Sequence, residues 1–286
     1  MKVVFVGVGA IGLPMARQIQ QAGHQVLGVD VSEGSRQRAQ AAGIEAVSDI
    51  RQAPTADVVV VMVATPQQLH ALVEQALPQV AGQRWIIMST VGPDAVREAA
   101  SALHGAGARV IDAPVTGGTA RASTGELVIF TAGEAAEIAF VEPVLQAMGT
   151  PARVGSQPGD GQGIKVINQH LCSVHIVAAA EALSLARALG LDAAAVLSLV
   201  EKGAAGSWML SDRGPRMLQG TDVEVSSAIN IFVKDSGLVA AAAAACHTEV
   251  PLLQVAHTRY QAAADAGLGL RDDSRVIETW RQVDSD

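Results

Sequence analysis

The stretch "VVFVGVGAIGLPMARQIQQAGHQVLGVD", residues 3–30, decides the fold. An apolar, β-branched run ends in Gly7-x-Gly9-x-x-Gly12. A helical pattern follows, and a second apolar run closes on Asp30, 18 positions after Gly12. The order is strand, tight turn, helix, strand. Gly7 permits the turn, Gly9 lets backbone approach a pyrophosphate, and Gly12 lets helix and strand pack closely. The helix start around Ala10 and Ile11 offers free N–H groups and a positive dipole end to that anion. The unit therefore predicts a dinucleotide site. Asp30 can accept hydrogen bonds from both ribose hydroxyls but meets a 2′-phosphate with like charge. At about 4 Å and an effective dielectric of about 20, each unit repulsion is roughly 4 kcal/mol before screening. The expected cofactor is NAD rather than NADP, and Arg36, a turn into the next helix, is expected to offset little.

Outward from this stretch, short apolar runs alternate with helical patterns. Strands are expected at 2–7, 24–30, 56–64, 84–89, 108–115 and 126–133, with helices near 11–22, 33–42, 67–78, 93–106 and 134–148. Runs apolar on both faces fit a parallel sheet covered by helices on either side. Val63 and Ala64 are counted among the cofactor-binding candidates. From about residue 161 only helical patterns remain: a run of more than 25 residues ending at Gly190, then 192–202, 207–218, 229–247 and 251–266. The expected architecture is α/β: a Rossmann-like, doubly wound domain over 1–160, a long interdomain helix, and an all-α domain over 161–286 for substrate and oligomerisation.

Bulk composition narrows the class. The 286 residues carry a net charge of −8 with no dense Lys/Arg cluster, which excludes a nucleic-acid binder. Cys172 and Cys246 lie far apart, which excludes a disulfide framework and fits a reducing cytoplasm. The N-terminal run mimics a signal peptide, but removing it would discard the glycine fingerprint. The apolar stretches 58–64 and 238–246 are too short to span a bilayer. A soluble cytoplasmic protein with no membrane or nucleic-acid partner is expected. The alanine-rich helices suggest a homo-oligomer, dimer or tetramer.

Two further stretches carry chemistry. In "DAPVTGGTARASTGEL", residues 112–127, Thr116 with Gly117 and Gly118 exposes backbone N–H groups and a hydroxyl suited to a carboxylate. In "GDGQGIKVINQHL", residues 159–171, Lys165, Asn168, Gln169 and Cys172 fall on one helical stripe. A lysine there can be a solvated helix-start residue or can take the hydroxyl proton as a hydride leaves for a nicotinamide. Asn168 and Gln169 offer amides to the substrate. His170 and His175 are spaced wrongly for a metal pair, and no metal is expected. Cys172 reads as core, Trp208 and Met209 as core or pocket wall, and Asp272 and Asp273 as helix caps.

Together "GVGAIGLPMA", "DAPVTGGTARASTGEL" and "GQGIKVINQ" resemble, in order and spacing, the 3-hydroxyisobutyrate dehydrogenase (β-hydroxyacid dehydrogenase) family over essentially the whole chain. "NIFVKD" and "GLGLRDDSRVI" look most like its L-threonate dehydrogenase branch, as does Gln169 where the wider family has a second asparagine. The resemblance implies Lys165 as catalytic acid/base, Thr116, Gly117 and Gly118 on the substrate carboxylate, and Asn168 on the reacting substrate. It places Thr90 beside the nicotinamide and brings Lys234 into the site. It implies an NAD-dependent oxidoreductase acting on a four-carbon sugar acid such as L-threonate. The alternatives are 3-hydroxyisobutyrate dehydrogenase, tartronate semialdehyde reductase, or a non-catalytic dinucleotide-binding module. Ser236 and Glu126 depart from the residues usual at their positions, leucine and threonine.

Overall fold

The computed structural model describes residues 1–280, in two compact units, the first Met1–Lys165 and the second from Val166 onward. The expected break at 160/161 falls five residues before this division.

In the first unit the expected strands form as β1 (Lys2–Val6), β2 (Gln25–Val29), β4 (Val58–Val61), β5 (Arg84–Ile87), β6 (Arg109–Asp112) and β8 (Leu127–Ala132). Three short or irregular strands join them: β3 (Ala46–Val47), β7 (Val115–Thr116) and β9 (Gly149–Gly155). The sheet order is β3-β2-β1-β4-β5-β6-β8-β7, with β9 beside β8. From β3 to β6 every pairing is parallel, in the 3-2-1-4-5-6 order of a dinucleotide-binding fold. The all-parallel expectation fails at β8, which runs antiparallel to β6 and β7 and parallel to β9.

Alternate side chains of each strand feed two cores. Val3 and Phe5 pack with Met15 and Ile19 of α1 (Gly12–Gln21) and Val144 of α6 (Ala135–Met148). Val4 and Val6 pack with Leu69 of α3 (Pro66–Ala76) and Leu103 of α4 (Pro93–Gly105). Two more helices belong here, α2 (Glu33–Ala41) and the short α5 (Gly118–Thr124). The sheet is doubly wound. The strand order reverses between β1 and β4, and loops at the carboxyl ends there are where such folds bind ligands.

The helix α7 (Asp160–Ala188) starts in the first unit and continues through the second. Among the described residues it is the one helix long and apolar enough, by length and composition, to cross a membrane. Its Ile176, Ala180 and Leu183 lie in the core of the second unit, with Leu197 of α8 (Ala193–Val200), Met217 of α9 (Trp208–Met217), Phe232 of α10 (Ile229–Ala245) and Tyr260 of α11 (Pro251–Ala263). The Phe232 and Tyr260 rings stack at 5.1 Å, and the Tyr260 hydroxyl donates to the Ser173 carbonyl. Asp272 caps the following 3₁₀ turn through Ser274 N–H, as expected. It and Asp273 do more than that. Both are fully buried, and they pair with Arg216 and Arg213 of α9 at 2.8 Å. Removing one member of such a pair strands a buried charge, so this cluster fixes the C-terminal turn onto α9.

Candidate functional site

The turn after β1 is built as its glycines require. Gly7 has φ +91°, and a Cβ there would meet the Met62 carbonyl oxygen at 2.2 Å. A Cβ on Gly12 would lie 1.9 Å from the Gly7 oxygen, so α1 can start this close to β1 only with glycine. Gly9 differs: a Cβ there meets no protein atom within 4 Å. The loop thus leaves open space above Gly9, at the start of a helix with no side-chain cap and no acid in its first turn. That open, uncapped cradle fits a pyrophosphate. Ala10 and Ile11 complete the loop, Ile11 as the N-cap residue of α1.

At the tip of β2 the Asp30 carboxylate accepts from Ser32 N–H at 2.8 Å. Arg36 lies nearer than its place in the next helix implies, for its guanidinium reaches back to the carbonyl oxygens of Asp30 and Val31 at 2.8 and 2.9 Å. Beyond β4, Val63 N–H donates to Ser89 Oγ and Ala64 N–H to Gln68 Oε1, each at 2.8 Å. Gln68 is also half of a capping box with Thr65 that starts α3. Thr90 follows Ser89 in the loop after β5 and is partly buried.

The start of α7 is fastened to β6. Asp112, at the end of β6, is fully buried and accepts from Gly159 N–H at 2.9 Å and Gln162 N–H at 3.0 Å. Burial pushes its carboxyl up to about 6, against the downward pull of the hydrogen bonds from Gln162, Gly159 and Gly161. A Cβ on Gly161 would lie 2.6 Å from the Phe130 carbonyl oxygen, so this turn sits directly on the sheet. One turn further, Lys165 is only 7% exposed. It is not a solvated helix-start lysine. Past Asp112 the chain runs through β7 to Thr116, and Gly117 and Gly118 both take positive φ, +133° and +65°. A Cβ on Gly118 meets nothing within 4 Å, so its backbone faces open space.

In the second unit Asn168 Nδ2 donates to Gln169 Oε1 at 2.8 Å and contacts Cys172 Sγ. Gln169, buried, donates in turn to Asp235 Oδ2 on α10, and Asp235 Oδ1 pairs with Lys234 Nζ at 2.7 Å. Asn168, Gln169, Asp235 and Lys234 thus form one polar chain joining α7 and α10.

Two family models divide the chain between them. Residues 2–159 match the NAD-binding domain of 6-phosphogluconate dehydrogenase, and residues 159–280 match the NAD-binding region of NADP-dependent 3-hydroxyisobutyrate dehydrogenase. An L-threonate dehydrogenase from Cupriavidus necator is 36% identical over 98% of this chain and 96% of its own. The chain belongs to the 3-hydroxyisobutyrate dehydrogenase family. The fold agrees with this. The crystal structure of a 3-hydroxyisobutyrate dehydrogenase from Salmonella typhimurium superposes with TM-score 0.90 at 33% identity, covering 98% of this chain and 99% of that one. A Mycobacterium tuberculosis 3-hydroxyisobutyrate dehydrogenase, described with L-serine, gives TM-score 0.87 at 28% identity over 98% and 99% of the two chains.

This dehydrogenase is therefore an NAD-dependent oxidoreductase of hydroxy acids, and its two departures from the family pattern find physical settings. Ser236 is fully buried, with its hydroxyl at 2.8 Å from His257 Nδ1 and back-bonded to the Phe232 carbonyl. The serine exchanges an apolar contact for a hydrogen bond between α10 and α11. Glu126 is exposed and accepts from Thr124 Oγ1 at 2.8 Å. Sequence reasoning missed Asp112 and Gln162. Both stand inside the two quoted motifs, but nothing in either motif pairs residues 50 positions apart.

Proposed function

We propose that this dehydrogenase oxidises a four-carbon sugar acid such as L-threonate, with Lys165 as the acid/base. The observation that carries the reading is the burial of Lys165, 7% exposed, one turn beyond an anchor that ties α7 to the strand leading into Thr116-Gly117-Gly118. When bound, the dinucleotide supplies the hydride acceptor. The Lys165 amine takes the proton of the substrate hydroxyl as the C–H hydride departs, leaving a carbonyl. Thr116, Gly117 and Gly118 offer a hydroxyl and backbone N–H groups to the substrate carboxylate. Asn168 commits its N–H donors to Gln169 and Cys172, which leaves its carbonyl oxygen to accept from a substrate hydroxyl. Gln169 acts by orienting that amide rather than by touching substrate, and Lys234 adds positive charge alongside Asp235. Thr90 lines the nicotinamide side.

The sugar-acid assignment is supported by relatives named L-threonate dehydrogenase at 31 to 36% identity. A panel of three- to five-carbon hydroxy acids, followed by NADH absorbance, tests it: L-threonate gives the highest kcat/KM. A higher value for 3-hydroxyisobutyrate would establish the second reading, which the likeness to the Salmonella protein favours.

The cofactor preference follows from Asp30. Arg36, though close, is already held by two main-chain carbonyls, so a 2′-phosphate meets the Asp30 carboxylate first. After discounting for solvent screening, kcat/KM with NAD+ exceeds that with NADP+ by about tenfold or more. Asp30→Ala narrows the ratio. Steady-state rates with the two cofactors decide this, and a preference for NADP+ in the unaltered protein refutes it.

A further inference from the structure

A buried primary amide presents two N–H donors and an oxygen with two lone pairs, and all are costly to leave unpaired. Gln162, in the first turn of α7, is 0% exposed and uses every one. Its Oε1 accepts from Val91 N–H at 3.1 Å and Gly92 N–H at 3.0 Å. Its Nε2 donates to the Ser89 carbonyl at 2.9 Å and to Asp112 Oδ1 at 3.2 Å. The other Asp112 oxygen takes the N–H groups that begin α7. Three segments meet here: the 89–92 loop that carries Thr90, the end of β6 that leads into Thr116-Gly117-Gly118, and the helical turn before Lys165. Gln162 and Lys165 stand at i and i+3, neighbours on the helix surface.

We propose that Gln162 and Asp112 are positioning residues for the reaction, a buried clamp that holds the turn bearing Lys165 in register with the Thr90 loop. The proposal rests on the reading of Lys165 as acid/base. Misplacing a catalytic group by about an ångström can cost roughly a hundredfold in rate, and here one side chain fixes the relation between two segments far apart in sequence. The amide is required because both polarities are used at once. A glutamate at 162 keeps the acceptor for Val91 and Gly92 but turns a second carboxylate toward Asp112 and the Ser89 carbonyl. An asparagine at 112 paired with a glutamate at 162 restores the bond between them with donor and acceptor exchanged.

The test is a variant cycle in the full-length protein, assayed with the best hydroxy acid of the panel, with NADH affinity read by fluorescence. Gln162→Glu and Asp112→Asn each lower kcat by about twentyfold or more while the NADH Kd moves less than about threefold, and the double variant recovers at least about fivefold. In a Lys165→Ala background Gln162→Glu changes the residual rate by less than about twofold, since the positioned group is gone. Gln162→Met, neutral and of similar length, loses kcat by a similar factor and replaces Gln162→Glu should that variant not fold. A merely structural role predicts a lower melting temperature and the same loss in both backgrounds. That pattern, or an unchanged kcat in both Gln162 variants, overturns the clamp. A silent Gln162→Glu beside an inactive Lys165→Ala removes the clamp and leaves Lys165 in place. Full activity in Lys165→Ala removes the Lys165 assignment and, with it, the clamp built on that lysine, whatever Gln162→Glu does.

Discussion

Lys165→Ala lowers kcat by roughly three orders of magnitude, within the 10²–10⁴-fold range of a positioned proton carrier, and leaves the NADH Kd within about threefold. The expectation follows from where the residue lies. A lysine that is 7% exposed has given up most of its hydration, and a protein keeps such an amine out of water only where it has partners or a task. Alanine is the best helix former, so the substitution leaves the backbone of α7 intact and the effect isolates the amine. Lys165→Arg separates proton transfer from simple charge. A guanidinium keeps the positive charge but does not release a proton in proteins, so an amine acting as base predicts that Lys165→Arg is as inactive as Lys165→Ala. Rates are measured by NADH absorbance and cofactor affinity by fluorescence titration. More than a tenth of wild-type kcat in the alanine variant, or substantial activity in the arginine variant, would sink the role.

The fold was legible where periodicity is strong. Every expected strand and helix is present within a few residues, because β-branched runs and 3.6-residue spacing report burial directly. The misses have physical causes. The strand β9, "GTPARVG", pairs among the described residues only with β8 and holds Pro151, a residue that sheets accept at edges. Its side chains are only partly buried, so no apolar pattern marks it. The helix α5, "GTARAST", is short, with Gly, Ser or Thr at four of its seven positions, and reads as loop. The antiparallel course of β8 leaves no trace in composition. The site divides in the same way. The glycine fingerprint stands out because spacing alone defines it, whereas Lys165 by its own setting also fits a solvated helix-start lysine and is singled out only by the resemblance. The Gln169 amide, read as facing substrate, instead joins Asp235, 66 residues away, and no local pattern shows such a bond.

Gly9→Val leaves the melting temperature within about 2 °C of wild type and weakens NADH binding about a hundredfold or more, close to the loss of all useful affinity. Few positions separate folding from binding so cleanly. A Cβ on Gly9 meets no protein atom within 4 Å, and its backbone is not in the left-handed region that penalises a side chain. The added Cβ therefore fits the folded protein without strain and stands in open space. What it occupies is the space through which the backbone must approach a pyrophosphate, and every atom placed there pushes the anion away from the N–H groups at the start of α1. Gly12 provides the control. Its added Cβ would sit 1.9 Å from the Gly7 oxygen, so Gly12→Val must shift α1 from β1, and both stability and binding fall. Thermal melts of the two variants, with and without NADH, read both effects at once. NADH raises the melting temperature of wild type and not that of Gly9→Val, whereas Gly12→Val melts lower in either condition. If Gly9→Val bound NADH as tightly as wild type, the dinucleotide would not pass over this loop, and the cofactor geometry built on the three glycines would fall with it.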